Sequence, residues 1–346
     1  MSTAVYIGRF QPFHRGHLHV IEEALKDARI SKLIVVVGST NKAITSKNPY
    51  TYEQRKAMIE ACVDTTKVTV KPSRDYMYPE LEKETLWNDH IRELIGSDCK
   101  YIVGYEKDNS SYYLKNFPEL EYIGVSGYET STNYWGVNGV KYLGGSVLSA
   151  TNLREDIYEN GNPYKASSDL YYLCEETLLN LTNEYNELKE EFTLFKDYPY
   201  KASLNCCCSD NVVINKGKIL LIKRNGLIGH GLLALAGGHK DSNETHLQAS
   251  LRELSEETNI NLSEEVLASK LKGSMSFDHP QRNLGVTKPT QAFLFDLTSV
   301  DETITVAPKD DALEVMWVDL EELPTMETLF HDDHYDIIQE MLKNFK

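Results

Sequence analysis

The sequence predicts two domains, an α/β domain on a parallel sheet over residues 1–198 and an α+β domain over residues 199–346. Three observations point there. A chain of 346 residues is long for one core and suits two. Apolar β-branched runs alternate with segments of helical spacing through the first half, the pattern of right-handed crossovers and a sheet covered on both faces. After a helical stretch that ends near Pro199, strand-like runs, a Gly-rich loop, a helix, further strands and a last helix follow in mixed order.

Taken in order, the expected strands of the first half are "AVYIGRF", "KLIVVVGS", "KVTVKPS", "KYIVGY" and "EYIGVSG". The helices between them are "HLHVIEEALKDA", "YEQRKAMIEACV" and "ETLWNDHIRELI". Ligands of such sheets bind beyond the carboxyl ends of the strands, and "GRFQPFHRGH" (8–17) stands at the end of the first. From 167 to 195, Cys174, Leu178, Leu181, Tyr185, Leu188, Phe192 and Phe195 form an apolar stripe at three- and four-residue steps. It reads as a helix closing the first domain, and it leaves a homo-oligomer through a coiled coil open. Pro199 in "KDYPYK" breaks it. The second half opens on "NVVINKGKILLIKR", turning at Lys216-Gly217, adds the strands "TQAFLFDLTSV" and "LEVMWVDL", and ends on the helix "HYDIIQEMLKNF".

Hydrophobic residues make up 41% and charged residues 25%, as in soluble globular chains. No apolar run nears the ~20 residues of a membrane span. The start "MSTAVYIGRF" reads as a strand rather than a signal peptide, so a cytoplasmic protein is expected. Six cysteines, with Cys206, Cys207 and Cys208 consecutive, show no paired C-x-x-C spacing, and alternate cysteines serve as small apolar strand residues. The charge is uneven. Residues 1–165 hold 20 Lys and Arg against 21 Asp and Glu, net −1, and the remainder 16 against 31, net −15. Such an acidic half repels a nucleic-acid backbone but can hold divalent cations.

His14 and His17 stand three apart around Gly16. A metal shell needs three or four ligands, and no acid or cysteine lies near them at ligand spacing. A loop between a strand and a helix N-terminus instead offers free N–H groups and a positive dipole end to an anion, and imidazoles can donate to phosphate oxygens. The alternative is ordinary loop histidines.

"GRFQPFHRGH", with "NPYTYEQR" (48–55), "LWNDHI" around Trp87, "GYEKDNSSYYLKNFP" (104–118) and "LSATNLRE" (148–155), resembles the nucleotidylyltransferase superfamily. The nearer resemblance is to nicotinamide mononucleotide (NMN) adenylyltransferases fused to a Nudix hydrolase. Ala150 stands where that family has Gly. The resemblance implies a Rossmann-like domain that transfers adenylate from ATP to NMN, giving NAD and pyrophosphate. It implies that Gly8, Arg9, Phe10 and Gly16 shape the nucleotide loop and that His14 and His17 meet the ATP phosphates. Arg154 is implied at the β- and γ-phosphates, with Ser149 and Thr151 as donors beside it. Trp87 would stack on the nicotinamide ring, the alternative being a core tryptophan, and Lys107, Asp108 and Ser110 would line the ribose or phosphates.

In the second half, Gly238, Glu244, Arg252-Glu253, Glu256-Glu257 and Ile260 stand at the spacing G-x5-E-x7-R-E-U-x-E-E-x-G-U (U apolar), with Asn259 for the usual Gly. On a helix Glu253, Glu256 and Glu257 share one face. Their mutual repulsion is relieved by a divalent cation, Mg2+ or Mn2+, which accepts oxygen ligands and keeps places for water and phosphates. Arg252, one turn before Glu256, can orient it. The pattern is identified as the Nudix box, which implies a Nudix fold and metal-assisted hydrolysis of a nucleoside diphosphate linkage, with Glu256 and Glu257 catalytic. "SMSFDHPQRN" (274–283) resembles the ADP-ribose pyrophosphatase module of the same fused family. That implies an ADP-ribose site of Gly238, Asp278, His279 and Arg282, with Asp310 or Asp311 as candidate base.

The expected function is therefore bifunctional, NAD synthesis in front and ADP-ribose hydrolysis behind, acting on small nucleotides and on neither nucleic acid nor membrane. The alternatives are the same folds with another mononucleotide in front or a dinucleoside polyphosphate behind, or a nucleotide-sensing Nudix domain without catalysis.

Overall fold

The computed structural model describes residues 2–78, 82–106, 109–128, 134–135, 141–142, 149–160, 185–196, 207–283 and 288–345. Lys107, Asp108, Cys206, residues 167–184 of the expected closing helix and the expected boundary at 198/199 lie outside them. Two compact units are present: Met1–Tyr76 with Glu84–Phe192, and Met77–Lys83 with Thr193–Lys346.

The first unit is a parallel sheet of β1 (Ser2–Gly8), β2 (Ile30–Val37), β3 (Val68–Pro72), β4 (Cys99–Gly104) and β5 (Glu121–Gly124) in the order β3-β2-β1-β4-β5. Because both faces are covered, neighbouring strand residues serve opposite cores. Ala4, Tyr6, Leu33 and Val35 pack on one side, and Val5, Ile7, Ile34 and Val36 on the other. The first core is closed by α1 (Arg15–Lys26) and α2 (Tyr52–Glu60), the second by α3 (Lys83–Ile95) through Ile91 and Ile95. The chain reverses direction across the sheet between β1 and β4, which puts the β1–α1 loop at the switch point where ligands bind. After the short pair β6 (Tyr134–Trp135) and β7 (Lys141–Tyr142), α4 (Ala150–Asn160) and α5 (Tyr185–Lys196) join the first core through Ile157, Tyr158, Leu188 and Phe192. The described end of the expected closing helix is thus helical, and Tyr185, Leu188 and Phe192 of its stripe pack on the core.

The second unit is a mixed seven-stranded sheet: β8 (Cys208–Asn215), β9 (Lys218–Arg224), β10 (Leu233–Ala234), β11 (Ala236–His239), β12 (Leu271–Phe277), β13 (Thr290–Asp296) and β14 (Ala312–Asp319). Among the described strands of this unit, β8 and β13 alone pair in parallel. The expected two-residue turn between β8 and β9 is present, with Lys216 and Gly217 at φ 47° and 81°, the left-handed pair a tight hairpin requires. Cys207 and Cys208 are half-buried at the start of β8. One sheet face packs on α6 (His246–Thr258) and α7 (Glu264–Ser269) through Leu251, Leu254 and Leu267, the other on α8 (His334–Phe345) through Ile337, Ile338 and Met341. Among the described residues no helix is long and apolar enough to cross a membrane.

Helix α6 opens on a capping box between Thr245 and Gln248 and stops at Asn259, whose φ of 43° and ψ of 39° are left-handed. This is the backbone expected where Asn replaces the Gly of the motif. Asn259→Ala is expected to lower the stability of the second unit by about 1 kcal/mol, the cost of a β-carbon in that region, and Asn259→Gly to leave it unchanged. Urea denaturation of the variants measures this, and an alanine variant as stable as the parent contradicts it.

Candidate active sites

The first site grows from the end of β1. A β-carbon on Gly8 would stand 2.9 Å from the Phe10 ring, so the strand can end in this turn only without a side chain there. Phe10 is itself buried with a left-handed φ of 54°. The chain then enters α1 through an unusual cap. His14 Nδ1 accepts the Gly16 N–H at 3.1 Å, and His17 Nδ1 accepts the His14 N–H at 3.3 Å. With each Nδ1 an acceptor, each ring carries its proton on Nε2 and is a neutral donor there. The two rings stack with centroids 3.7 Å apart, and Phe10 and Phe13 flank His17 at 4.8 and 5.8 Å. Desolvation pushes the His17 imidazole down to about 3.

Cations converge on the same loop. Arg154, reached through the N-terminal turn of α4, is buried and donates to the Gln11 carbonyl and, at 3.4 Å, to Thr151 Oγ1. Burial, then the charge of Arg9, lowers its guanidinium to about 10. Burial, then Arg9 and Arg154, also lowers the Lys47 ammonium. Arg9 and Arg154 bear electrostatically on each other and on Lys47, a mutual repulsion that a polyanion relieves. Lys47 escaped sequence reasoning because a single lysine in a loop has no pattern; its place ahead of "NPYTYEQR" was the available signal. Arg55 carries no sequence pattern of its own either. It is 1% exposed and its guanidinium donates to the carbonyls of Arg9 and Gly38, both at 2.7 Å, bracing the loops after β1 and β2.

The structure thus gathers Gly8, Arg9, Phe10, His14, Gly16, His17, Thr151 and Arg154, with Ser149 just ahead of α4. Trp87 stands on α3 with the core of the other sheet face, half-buried, its ring tilted 53° against Phe117 at 6.0 Å.

The second site is the carboxylate face of α6, half-buried at Arg252, Glu253 and Glu256 and buried at Glu257. Arg252 donates to Glu244 (2.7 Å), Glu253 (2.9 Å) and Glu256 (2.9 Å), and so orients three carboxylates of the motif rather than one. That contact holds Glu244 down at about 2. Glu257 is buried, accepts the Gly237 N–H at 2.8 Å, and is pushed by burial up to about 8. Burial also raises Glu253, with Glu256 and Asp310 adding to the push, so Asp310 lies within electrostatic reach of the helix. A β-carbon on Gly238 would meet the Glu253 carboxylate at 2.6 Å, which gives the motif's first glycine its reason. Among the described residues no three His, Cys, Asp or Glu side chains form a ready-made metal shell; Arg252 bridges the carboxylates instead. The donor set nevertheless fits a hard divalent cation, being carboxylate oxygens alone, two of them raised by crowding and burial that such a cation would offset.

Beyond β12, Asp278 and His279 begin a turn in which His279 Nδ1 accepts the Gln281 N–H at 3.1 Å and its carbonyl accepts the Arg282 N–H at 3.0 Å. Arg282 differs from the ligand contact expected of it. Its side chain is 2% exposed and grips the Asp333 carboxylate with two hydrogen bonds of 3.0 Å, while Nη1 donates to Asn283 and the Lys288 carbonyl. A buried carboxylate demands a paired donor, and the guanidinium fork meets it.

Parallel sheet, anion loop and carboxylate helix define a nucleotidylyltransferase-type domain joined to a Nudix domain. Residues 5–108 match the Cytidylyltransferase-like family, and residues 209–341 the NUDIX domain. The chain is 31% identical over 163 residues to the nicotinamide/nicotinic acid mononucleotide adenylyltransferase of Acinetobacter baylyi, covering 45% of this chain and 74% of that protein. It is 37% identical over 111 residues to the nicotinamide-nucleotide adenylyltransferase of Halobacterium salinarum, where the match spans only about half, 56%, of the relative's length. Along 99% of both chains it superposes on a bifunctional NMN adenylyltransferase/ADP ribose pyrophosphatase from Francisella tularensis complexed with AMP and a Mn ion, with TM-score 0.81 and 32% identity. A second structure of that protein gives 0.82 and 33%. The chain belongs to the family of bifunctional NMN adenylyltransferase/ADP-ribose pyrophosphatases.

Proposed function

We propose that this chain makes NAD from NMN and ATP at the first site and hydrolyses ADP-ribose to AMP and ribose 5-phosphate at the second. The observation that carries the front assignment is a loop whose two histidines cap α1 through Nδ1 and whose Gln11 carbonyl holds the buried Arg154, with Arg9 and Lys47 within electrostatic reach. In the reaction the NMN phosphate oxygen bonds to the α-phosphorus of ATP as the α–β bridge breaks and pyrophosphate leaves. Charge on the oxygens in transit needs positioning and electrostatic support rather than covalent help. His14 and His17 donate to triphosphate oxygens without gaining a charge, Arg9, Lys47 and Arg154 neutralise the leaving pyrophosphate, and Thr151 steadies Arg154. Gly8, Phe10 and Gly16 shape the loop, with Ser149, Lys107 and Asp108 as further contacts and Trp87 for the nicotinamide ring.

At the second site Glu253, Glu256 and Glu257 would hold Mg2+ or Mn2+. Bound there, the ion supplies Lewis-acid polarisation of the diphosphate and lowers the pKa of an attacking water. Arg252 keeps Glu253 and Glu256 turned to the same side, Gly238 leaves room for them, and Asp310 or Asp311 takes the water's proton. Asp278 and His279 line the distal ribose phosphate. The acidic second half favours small nucleotides over nucleic acid, and a cytoplasmic location is part of the same proposal.

Incubation of the purified protein and Mg2+ with ADP-ribose, and separately with diadenosine tetraphosphate, tests the substrate. AMP and ribose 5-phosphate from ADP-ribose are expected. Turnover of diadenosine tetraphosphate alone would overturn the assignment.

A further inference from the structure

We propose that Tyr78 is a positioning residue for hydrolysis at the second site, a role that rests on the ADP-ribose reading above. Tyr78 belongs to the first half of the sequence, between β3 and α3, yet Met77–Lys83 forms one compact unit with Thr193–Lys346. Its ring meets Phe277, the last residue of β12, edge-on at 4.9 Å and lies 6.4 Å from the His279 ring. Its hydroxyl donates to Asp333 Oδ2 at 3.0 Å, the oxygen that also accepts from Arg282 Nε.

The consequence is a three-way tie inside the second unit. Arg282 closes the turn that carries Asp278 and His279. Asp333 precedes α8, and its main-chain carbonyl accepts the Ile337 N–H at 2.9 Å. Tyr78 gives the Asp333 carboxylate a further donor and sets an aromatic wall against Phe277 and His279. The turn is closed from within by the Gln281 and Arg282 N–H groups, and its direction is fixed from outside by the Arg282–Asp333–Tyr78 tie. With Nδ1 occupied by the Gln281 N–H, His279 can donate only through Nε2, and the angle of that bond follows the turn. Tyr78 thereby sets where the donor points, and a small displacement of a positioned donor is costly.

The full-length protein and its Tyr78→Phe and Tyr78→Ala variants test this, each assayed for AMP from ADP-ribose with Mg2+ and for NAD from NMN and ATP. For Tyr78→Ala the KM for ADP-ribose is expected to rise about tenfold with kcat within about twofold. Tyr78→Phe keeps the ring and loses one hydrogen bond, for a rise of about threefold. NAD formation stays at the parent rate in both. Parent KM values in both variants overturn the proposal, as does a parallel fall in NAD formation, which marks general loss of structure. If the parent itself releases no AMP, the hydrolase reading fails, and calorimetric ADP-ribose affinity of the same three proteins decides: weaker binding by Tyr78→Ala supports the positioning role, and equal affinities overturn it.

Discussion

Glu256→Gln is expected to lower ADP-ribose hydrolysis about a thousandfold while NAD formation stays within about twofold. The size follows from removing one fixed charge that supports the ion and, through it, the charge developing on the diphosphate. Glutamine keeps the shape and loses the anion. The same change should not harm the fold. Glu256 is 45% exposed, so its i,i+4 pair with Arg252 is worth little, and its loss also removes repulsion toward Glu253. Thermal denaturation without metal should therefore show a midpoint equal to or above the parent's. A variant that keeps full hydrolysis would remove Glu256 from the site, and one that melts many degrees lower would make it a structural residue.

His17→Ala is expected to lower NAD formation by a hundredfold to a thousandfold, the range for losing one preorganised donor to a transition-state oxygen. The ring also accepts the His14 N–H, so α1 should lose about 1 kcal/mol of capping. That is too little to unfold the unit, so hydrolysis of ADP-ribose should continue unchanged. The pH dependence separates a neutral donor from a charged one. With the folded pKa near 3 against an ordinary 6.5, His17 stays neutral through the physiological range. NAD formation should then show no loss traceable to this residue between pH 8 and 5. The unfolded chain protonates His17 below about 6.5, so its contribution to stability is complete above that pH and declines as the pH falls toward 3. Kinetic profiles of the parent and His17→Ala that differ by a titration near 6.5 would contradict the neutral-donor role.

The parts of this molecule that follow a period could be read from residues alone. The five parallel strands are β-branched runs, the face of α6 obeys helical spacing, and Asn259 marks a helix end that only a left-handed backbone satisfies. Residues joined through space without a pattern could not. Arg55 looks like a surface charge on α2, yet it crosses to carbonyls of two loops. Arg282 looks like a ligand contact in "DHPQR", but its partner Asp333 lies 51 residues further on. Tyr78 is separated from Asp333 by 255 residues and joins the unit to which its place in the chain does not point. No local spacing encodes such pairs; burial of a charge reveals them only once the fold is known.

We propose two independent active sites on one chain, and a crossed assay of the two reactions separates them. The parent, His17→Ala and Glu256→Gln proteins are each given NMN with ATP, and separately ADP-ribose, all with Mg2+. The parent should form both NAD and AMP, His17→Ala should lose NAD formation alone, and Glu256→Gln should lose AMP formation alone. A folded parent that forms neither product, or a single substitution that silences both reactions, would contradict it.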